Sequence, residues 1–520
     1  MYGNATLNVF LCLKNGIITD IKLEWRHHMN KRASGILMHI SSLPSQHGIG
    51  DFGKSAYQFV DFLKETQTKY WQVLPMGITS YGDSPYQSFS AFAGNPYFID
   101  LDEFIDKGWL AQDEVDNTNL GDNPVAVDYA ALYYNKYPLL RKAFENALPE
   151  VESKLNQFLK DEDWLHDFAL FMALKDYHDG RSWQEWSDDF KRRDKHALES
   201  FESSHQEDIL FWVFTQYFFM TQWDALKQYA NNAGIYIIGD IPIYVAVDSS
   251  DVWADPKYYK LDENLAPTVV AGVPPDLMSD YGQLWGNPIY DWDVHEADGF
   301  KWWIKRMEES FKLYDSVRID HFRGFEAYWQ IPFGNETAVE GEWVKGPANR
   351  LFHAINNAIG EKDILAEDLG YITTEVHKMI EETGYPGMNV MQFGFGGDDA
   401  EFAPHNHQYN SIAYTSNHDT MTMEGWLLQA NTDELRRAKD YLNLTLNEGY
   451  TNGFIRGTYA SHSYLAIIPM QDWMNLNDEA RMNEPSTVGG NWMWRVESDY
   501  ITDEMTEKIK NMNQIFGRIL

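Results

Sequence analysis

Eight short runs of apolar and β-branched residues, each followed by turn residues and then a helical pattern, constrain this chain's fold more than any other feature. They are GILMHI (35–40), YWQVL (70–74), IYIIGDI (235–241), SVRIDH (316–321), ILAEDL (364–369), NVMQFGF (389–395), IAYT (412–415) and YLAII (464–468). Strands that alternate with helices pair in parallel, and eight is the number that closes a barrel. The expected fold class is α/β, a (β/α)8 TIM barrel with large helical and loop insertions between its strands. A doubly wound open sheet also fits the pattern. No G-x-G-x-x-G follows the first run, which weakens the dinucleotide-binding form of that alternative.

The spacing of the runs is uneven, and the excess length sits in two places. Residues 102–229 read as a mainly helical inserted subdomain, because ILFWVFTQYFFMTQWDALKQY (209–229) is too apolar for a helix with one wet face. Residues 246–299, rich in Pro, Gly, Trp and Tyr, read as an ordered loop region over a site. Residues 1–28 lack either period and contain the single cysteine, Cys12, so they read as an N-terminal extension outside the core. Met29 then reads as the natural start, with the catalytic barrel spanning 29–520.

Composition narrows the class of partner. The chain holds 42 Lys and Arg against 78 Asp and Glu, a net charge of −36, which repels nucleic acids and anionic membranes. Aromatic residues make up 15% of it, including 19 Trp and 30 Tyr. Most of these rings belong to the core, and the surplus in loop-like segments suits the C–H faces of sugars. One cysteine gives no disulfide framework, and no apolar run reaches the ~18 residues of a membrane span. The expected location is cytoplasmic.

Chemistry concentrates where the runs end. In a closed parallel barrel the active groups sit at the C-terminal ends of strands. Here those ends carry Asp240 in IIGDIPIY, Asp320 in RIDHF, Glu367 in ILAEDLG and His418-Asp419 in AYTSNHD. Arg318 shares a strand face with Asp320 and would keep it ionised. That pair alone could be a structural ion pair. Converging carboxylates are costly, however, unless each is hydrogen-bonded or needed. One anionic and one protonated carboxyl is the arrangement that retaining glycoside cleavage requires. An N/O metal cluster of His321, His418 and the acids competes with this reading, although neither H-E-x-x-H nor cysteine spacing supports it.

The segments GDIPIYVAVDSSDVW, VRIDHFRG, LAEDLG and YTSNHD resemble those of 4-α-glucanotransferases, the amylomaltases or disproportionating enzymes of glycoside hydrolase family 77. ASGILMHISSLPS, GDSPYQSFSAFAGNPYFIDL, GVPPD, GQLWGNPIYDW and EARMNEPSTVGGNWMWR extend the likeness from about residue 32 to about 500. The resemblance implies transfer of a 1,4-α-glucan segment to glucose or another glucan through a covalent intermediate, without metal or organic cofactor. It implies Asp320 as nucleophile, Glu367 as acid/base, Asp419 as the third, transition-state-stabilising carboxylate, and Arg318 orienting Asp320. Asp240, His321 and His418 are then expected to contact sugar hydroxyls, while Tyr86 and Trp285 line glucan subsites. Asn491 and Trp492 are further expected contacts, although a tight turn would also explain GGNW. The expected partners are α-1,4-glucans and maltooligosaccharides, with the protein a monomer or weak homo-oligomer.

Two segments depart from the family pattern. Leu277 and Met278 follow GVPPD where an aromatic pair is common, and Thr420-Met421-Thr422 replaces Asn-Asp-Thr after NHD. Loss of a stacking ring would weaken acceptor binding by ~1 kcal/mol, so some hydrolysis beside transfer is expected.

Overall fold

The computed structural model of the chain describes residues 31–79, 81–275, 279–370, 372–397 and 402–519. The extension 1–28 and the pair Leu277 and Met278 lie outside them. Among the described residues there are twelve strands: β1 (Ala33–Leu37), β2 (Tyr70–Gln72), β3 (Tyr236–Ile241), β4 (Val269–Val273), β5 (Gln283–Pro288), β6 (Ser316–Ile319), β7 (Ala327–Pro332), β8 (Glu342–Lys345), β9 (Ile364–Ala366), β10 (Gly387–Val390), β11 (Ser411–Tyr414) and β12 (Leu465–Pro469).

Eight of them form one sheet in the order β10-β11-β12-β1-β2-β3-β6-β9, and every neighbouring pair is parallel. Each overlaps one of the eight runs legible in the sequence, although in NVMQFGF only Asn389 and Val390 are strand and Met391–Phe395 turn into a 3-10 helix. Pairing of β1 with β12 joins the two halves of the chain. At the seam, Ala366 N–H donates to the Pro386 carbonyl just before β10 at 3.0 Å, so the barrel is nearly closed. Every residue of β1, β6, β9, β11 and β12 is buried, as expected where helices cover one face and the barrel core the other. Two glycines allow the close packing near the site. A Cβ on Gly239 would lie 2.2 Å from the Tyr314 ring, and one on Gly387 would lie 2.3 Å from the Asp368 carboxylate.

Helices fill the long interval between β2 and β3. Gln206–Asn232 packs against Tyr129–Asp161 and Leu165–Tyr177 on one side and Lys54–Glu65 on the other. Its segment 209–220 is buried or half-buried throughout, whereas Thr221, Asp224 and Gln228 further along face solvent. The interval expected as loop, 246–299, instead carries two short helices, Ser250–Ala254 and Trp292–Ala297, and the strands β4 and β5. They form an antiparallel sheet in the order β5-β4-β7-β8. Its other two strands come from beyond β6, and Gly272, Gly286 and Pro288 interrupt the alternation that would have revealed it. No helix among the described residues is long and apolar enough to cross a membrane.

Candidate active site

Because the eight barrel strands run parallel, the residues just past them gather at one mouth. Strand β6 ends at Ile319, and the next residues turn sharply: His321 is left-handed, at φ 48°. The alternation read through residue 321 therefore stops at 319. Arg318, 1% exposed, is the hub beneath the mouth. Its Nη1 donates to Asp240 Oδ2 at 2.5 Å and its Nη2 to Asp320 Oδ1 at 3.1 Å. Burial of so large a cation is tolerated only with such partners.

Glu367 follows β9. The His321 N–H donates to its Oε2 at 2.7 Å, and the Leu369 N–H donates to its Oε1, also at 2.7 Å. Its neighbour Asp368 points elsewhere and accepts the Met388 N–H at 2.7 Å. Only Glu367 thus joins Asp320. Burial, then the negative charge of Asp320, pushes the Glu367 carboxyl up to about 7. Burial also raises Asp320, while the nearby Arg318 guanidinium opposes it, leaving it at about 6. The pair is therefore split in the direction that a nucleophile and a proton donor require.

Asp419 is held the other way. Burial pushes its carboxyl up, but His418 at 3.2 Å and the Asn483 amide at 2.7 Å outweigh that and keep it well below the usual carboxylate range. The His418 ring stacks on Tyr86, with centroids 5.4 Å apart and planes 12° apart. The Tyr86 hydroxyl donates to Asp240 Oδ2 at 2.9 Å and lies 2.8 Å from His418 Nε2. A hydroxyl has one proton, so with that proton on Asp240 it must accept from His418. The Nε2–H of His418 is then shared between Tyr86 and Asp419.

Trp285, on β5, meets the His321 ring edge-on at 4.8 Å, bringing the small sheet to the mouth. Burial first, then Arg323, holds the His321 imidazole down to about 3, so it is neutral. Asp240 is placed beneath the site, 1% exposed and bonded to Arg318 and Tyr86, rather than open toward a sugar. Asn491 accepts the Glu484 N–H at 2.9 Å and donates to Thr487 Oγ1 at 3.0 Å, which shapes its own loop. Trp492, left-handed at φ 65°, instead inserts its ring 5.6 Å from Tyr86 and 6.0 Å from His418.

Two contacts to the His418–Asp419 segment escaped the sequence reading. Asn483 also donates its N–H to the His418 carbonyl at 3.0 Å, and Arg481 donates to the Asp419 carbonyl at 2.8 Å. Both lie in the EARMN segment, where no strand or helix period marks them. Among the described residues, the group with metal-site spacing is His47, Asp51 and Asp100, not His321 and His418.

A family model described as 4-alpha-glucanotransferase matches residues 38–502. A 4-alpha-glucanotransferase of Clostridium butyricum is 49% identical over 485 residues, covering 92% of this chain and 100% of the relative. One from Thermus thermophilus is 45% identical over 501 residues, covering 94% and 99%. The solved structure of the amylomaltase from Streptococcus agalactiae in complex with acarbose has a TM-score of 0.92 at 45% identity, covering 94% of this chain and 100% of that one. With that breadth of match, and a nearly closed barrel bearing paired acids at its mouth, the chain belongs to the 4-alpha-glucanotransferase family, glycoside hydrolase family 77.

Proposed function

We propose that this 4-alpha-glucanotransferase works by retaining double displacement on α-1,4-glucans and maltooligosaccharides, with Asp320 as nucleophile and Glu367 as acid/base. Asp320 attacks the anomeric carbon of the donor. As the glycosidic C–O bond breaks, Glu367 gives its proton to the departing oxygen. The 4-hydroxyl of glucose or of another glucan then loses its proton to Glu367 and displaces Asp320, restoring both groups. Asp419, kept anionic by His418 and Asn483, hydrogen-bonds ring hydroxyls and favours the flattened, oxocarbenium-like sugar.

The observation that carries the assignment is the His321 N–H bond to Glu367, because it ties the acid/base to the residue next to Asp320. Arg318 orients Asp320, while Asp240 supports both Arg318 and Tyr86. Tyr86, Trp285 and the neutral His321 supply ring faces and polar edges for the sugars, while the buried Trp492 packs beside Tyr86 and His418. Binding of acarbose, which the Streptococcus agalactiae relative holds, is expected at the same mouth.

Maltotriose alone is the test. Transfer conserves the number of reducing ends, so glucose and a ladder of longer oligosaccharides should appear with only a small rise in reducing ends. That rise reports the hydrolysis expected from Leu277 and Met278. Products no longer than maltose and glucose, with reducing ends rising in step, would make the enzyme a hydrolase of the α-amylase type.

A further inference from the structure

We propose that Asp472 is a positioning residue for glucan transfer, acting through the loop that carries His418 and Asp419. The inference rests on the role given above to Asp419. Asp472 lies just past β12, in the short helix Met470–Trp473, and is 0% exposed. Its Oδ2 accepts the Thr415 hydroxyl at 2.5 Å and the Ser416 hydroxyl at 2.6 Å, and its Oδ1 accepts the Met423 N–H at 2.7 Å. Thr415 and Ser416 directly follow β11, whereas Met423 opens the next helix, Met423–Gln429. One carboxylate therefore holds both ends of the intervening loop against the adjacent strand.

The span between these anchors has its own shape. Asn417 Oδ1 accepts the N–H groups of Asp419 and Thr420, each at 3.0 Å, so the loop turns as a unit. With its ends fixed, the loop presents the Asp419 carboxylate to His418 at 3.2 Å and the Asn483 amide at 2.7 Å. A rotation at Thr415 or Met423 would carry it bodily away from the sugar ring, and misplacement by ~1 Å can cost about 10²-fold in rate.

The chemistry of the anchor argues for precision rather than stability. All three partners are neutral donors, and burying a carboxylate among them costs more than a well-packed apolar residue would. A carboxylate is also the side chain that accepts three hydrogen bonds without offering one back. An amide at this position would turn an N–H toward one of the donors.

The test is Asp472→Asn, which preserves volume. In maltotriose transfer, kcat should fall by about 10-fold or more while KM changes less than about 3-fold, as for a group acting on the transition state alone. Acarbose affinity, measured by calorimetry, then closes a cycle with Asp419→Asn. Asp472→Asn should weaken acarbose by about 10-fold when Asp419 is present and by less than about 2-fold when it is not. Should Asp472→Asn not fold, Ser416→Ala removes one of the three bonds, and its smaller loss of acarbose affinity must likewise vanish in the Asp419→Asn background. Equal losses in both backgrounds, a change in KM alone, or an unchanged kcat overturns the inference. Wild-type turnover by Asp419→Asn would overturn the role of Asp419 as well. A crippled Asp419→Asn beside an unimpaired Asp472→Asn would overturn only the positioning role.

Discussion

The backbone N–H of His321 and the carboxyl of Glu367 meet at 2.7 Å, one residue along from Asp320. With the Leu369 N–H on the other oxygen, both Glu367 oxygens are fixed by backbone donors. Glu367→Gln turns its amide N–H toward one of them and should cost about 1–3 kcal/mol of stability, read by urea unfolding. The variant should fail on maltotriose yet still be glycosylated by a glycosyl fluoride, whose leaving group needs no proton. Failure on both donors would remove Glu367 from the acid/base role.

The pH profile follows from the same pair. In the proposed mechanism, activity needs Asp320 ionised and Glu367 protonated. It should rise as pH passes about 6, where Asp320 loses its proton, and fall as pH passes about 7, where Glu367 does. The expected kcat/KM curve is a narrow bell centred between those values. A plateau extending well above neutrality would contradict the split.

Asp240 tunes the acid limb from below. Its charge raises Asp320 and also engages Arg318. Asp240→Asn should therefore free Arg318 for Asp320 and move the acid limb to lower pH. Loss of a charged acceptor beneath a buried guanidinium should cost about 1.5–3 kcal/mol. An acid limb that stays put, or moves up, would mean that Asp320 does not sense Asp240.

Far from the chemistry in sequence, His47 should give stability its own pH dependence. Burial lowers the imidazole, but Asp102 and Asp51 raise it more, to about 9. Asp51 Oδ2 lies 2.8 Å from its Nδ1. A raised folded value means that the contribution is complete below the unfolded value near 6.5 and is lost as pH climbs through 9. Unfolding free energy should thus drop by about 2–3 kcal/mol between pH 6 and pH 9.5, and His47→Gln should flatten that interval. An unchanged slope in the variant would refute the imidazolium's role.

Much of this was legible because parallel barrels write themselves locally. Buried strands such as SVRI and ILA are short runs, and the acids just past them, Asp320 and Glu367, belong to the same runs. The placement of Asp320 and Glu367 at strand ends could therefore be read directly. What escaped depends on contacts between segments remote in the chain. The sheet of β4, β5, β7 and β8 needs partners on both sides of β6, and no local period announces it. Asn483 and Arg481 act on Asp419 from more than 60 positions away in irregular backbone, where a residue's neighbours cannot be inferred from its spacing. Asp240 was read correctly as polar and strand-terminal, yet its burial follows from the size of Arg318 and the reach of Tyr86.

The most direct measurement is to trap the intermediate. A fluorosugar α-glycosyl fluoride, incubated with the enzyme and followed by proteolysis and mass spectrometry, should add one glycosyl unit to the peptide containing Asp320, and Asp320→Asn should carry none. A label on the peptide of Glu367 or Asp419, or a first product of β configuration seen by NMR, would contradict double displacement through Asp320.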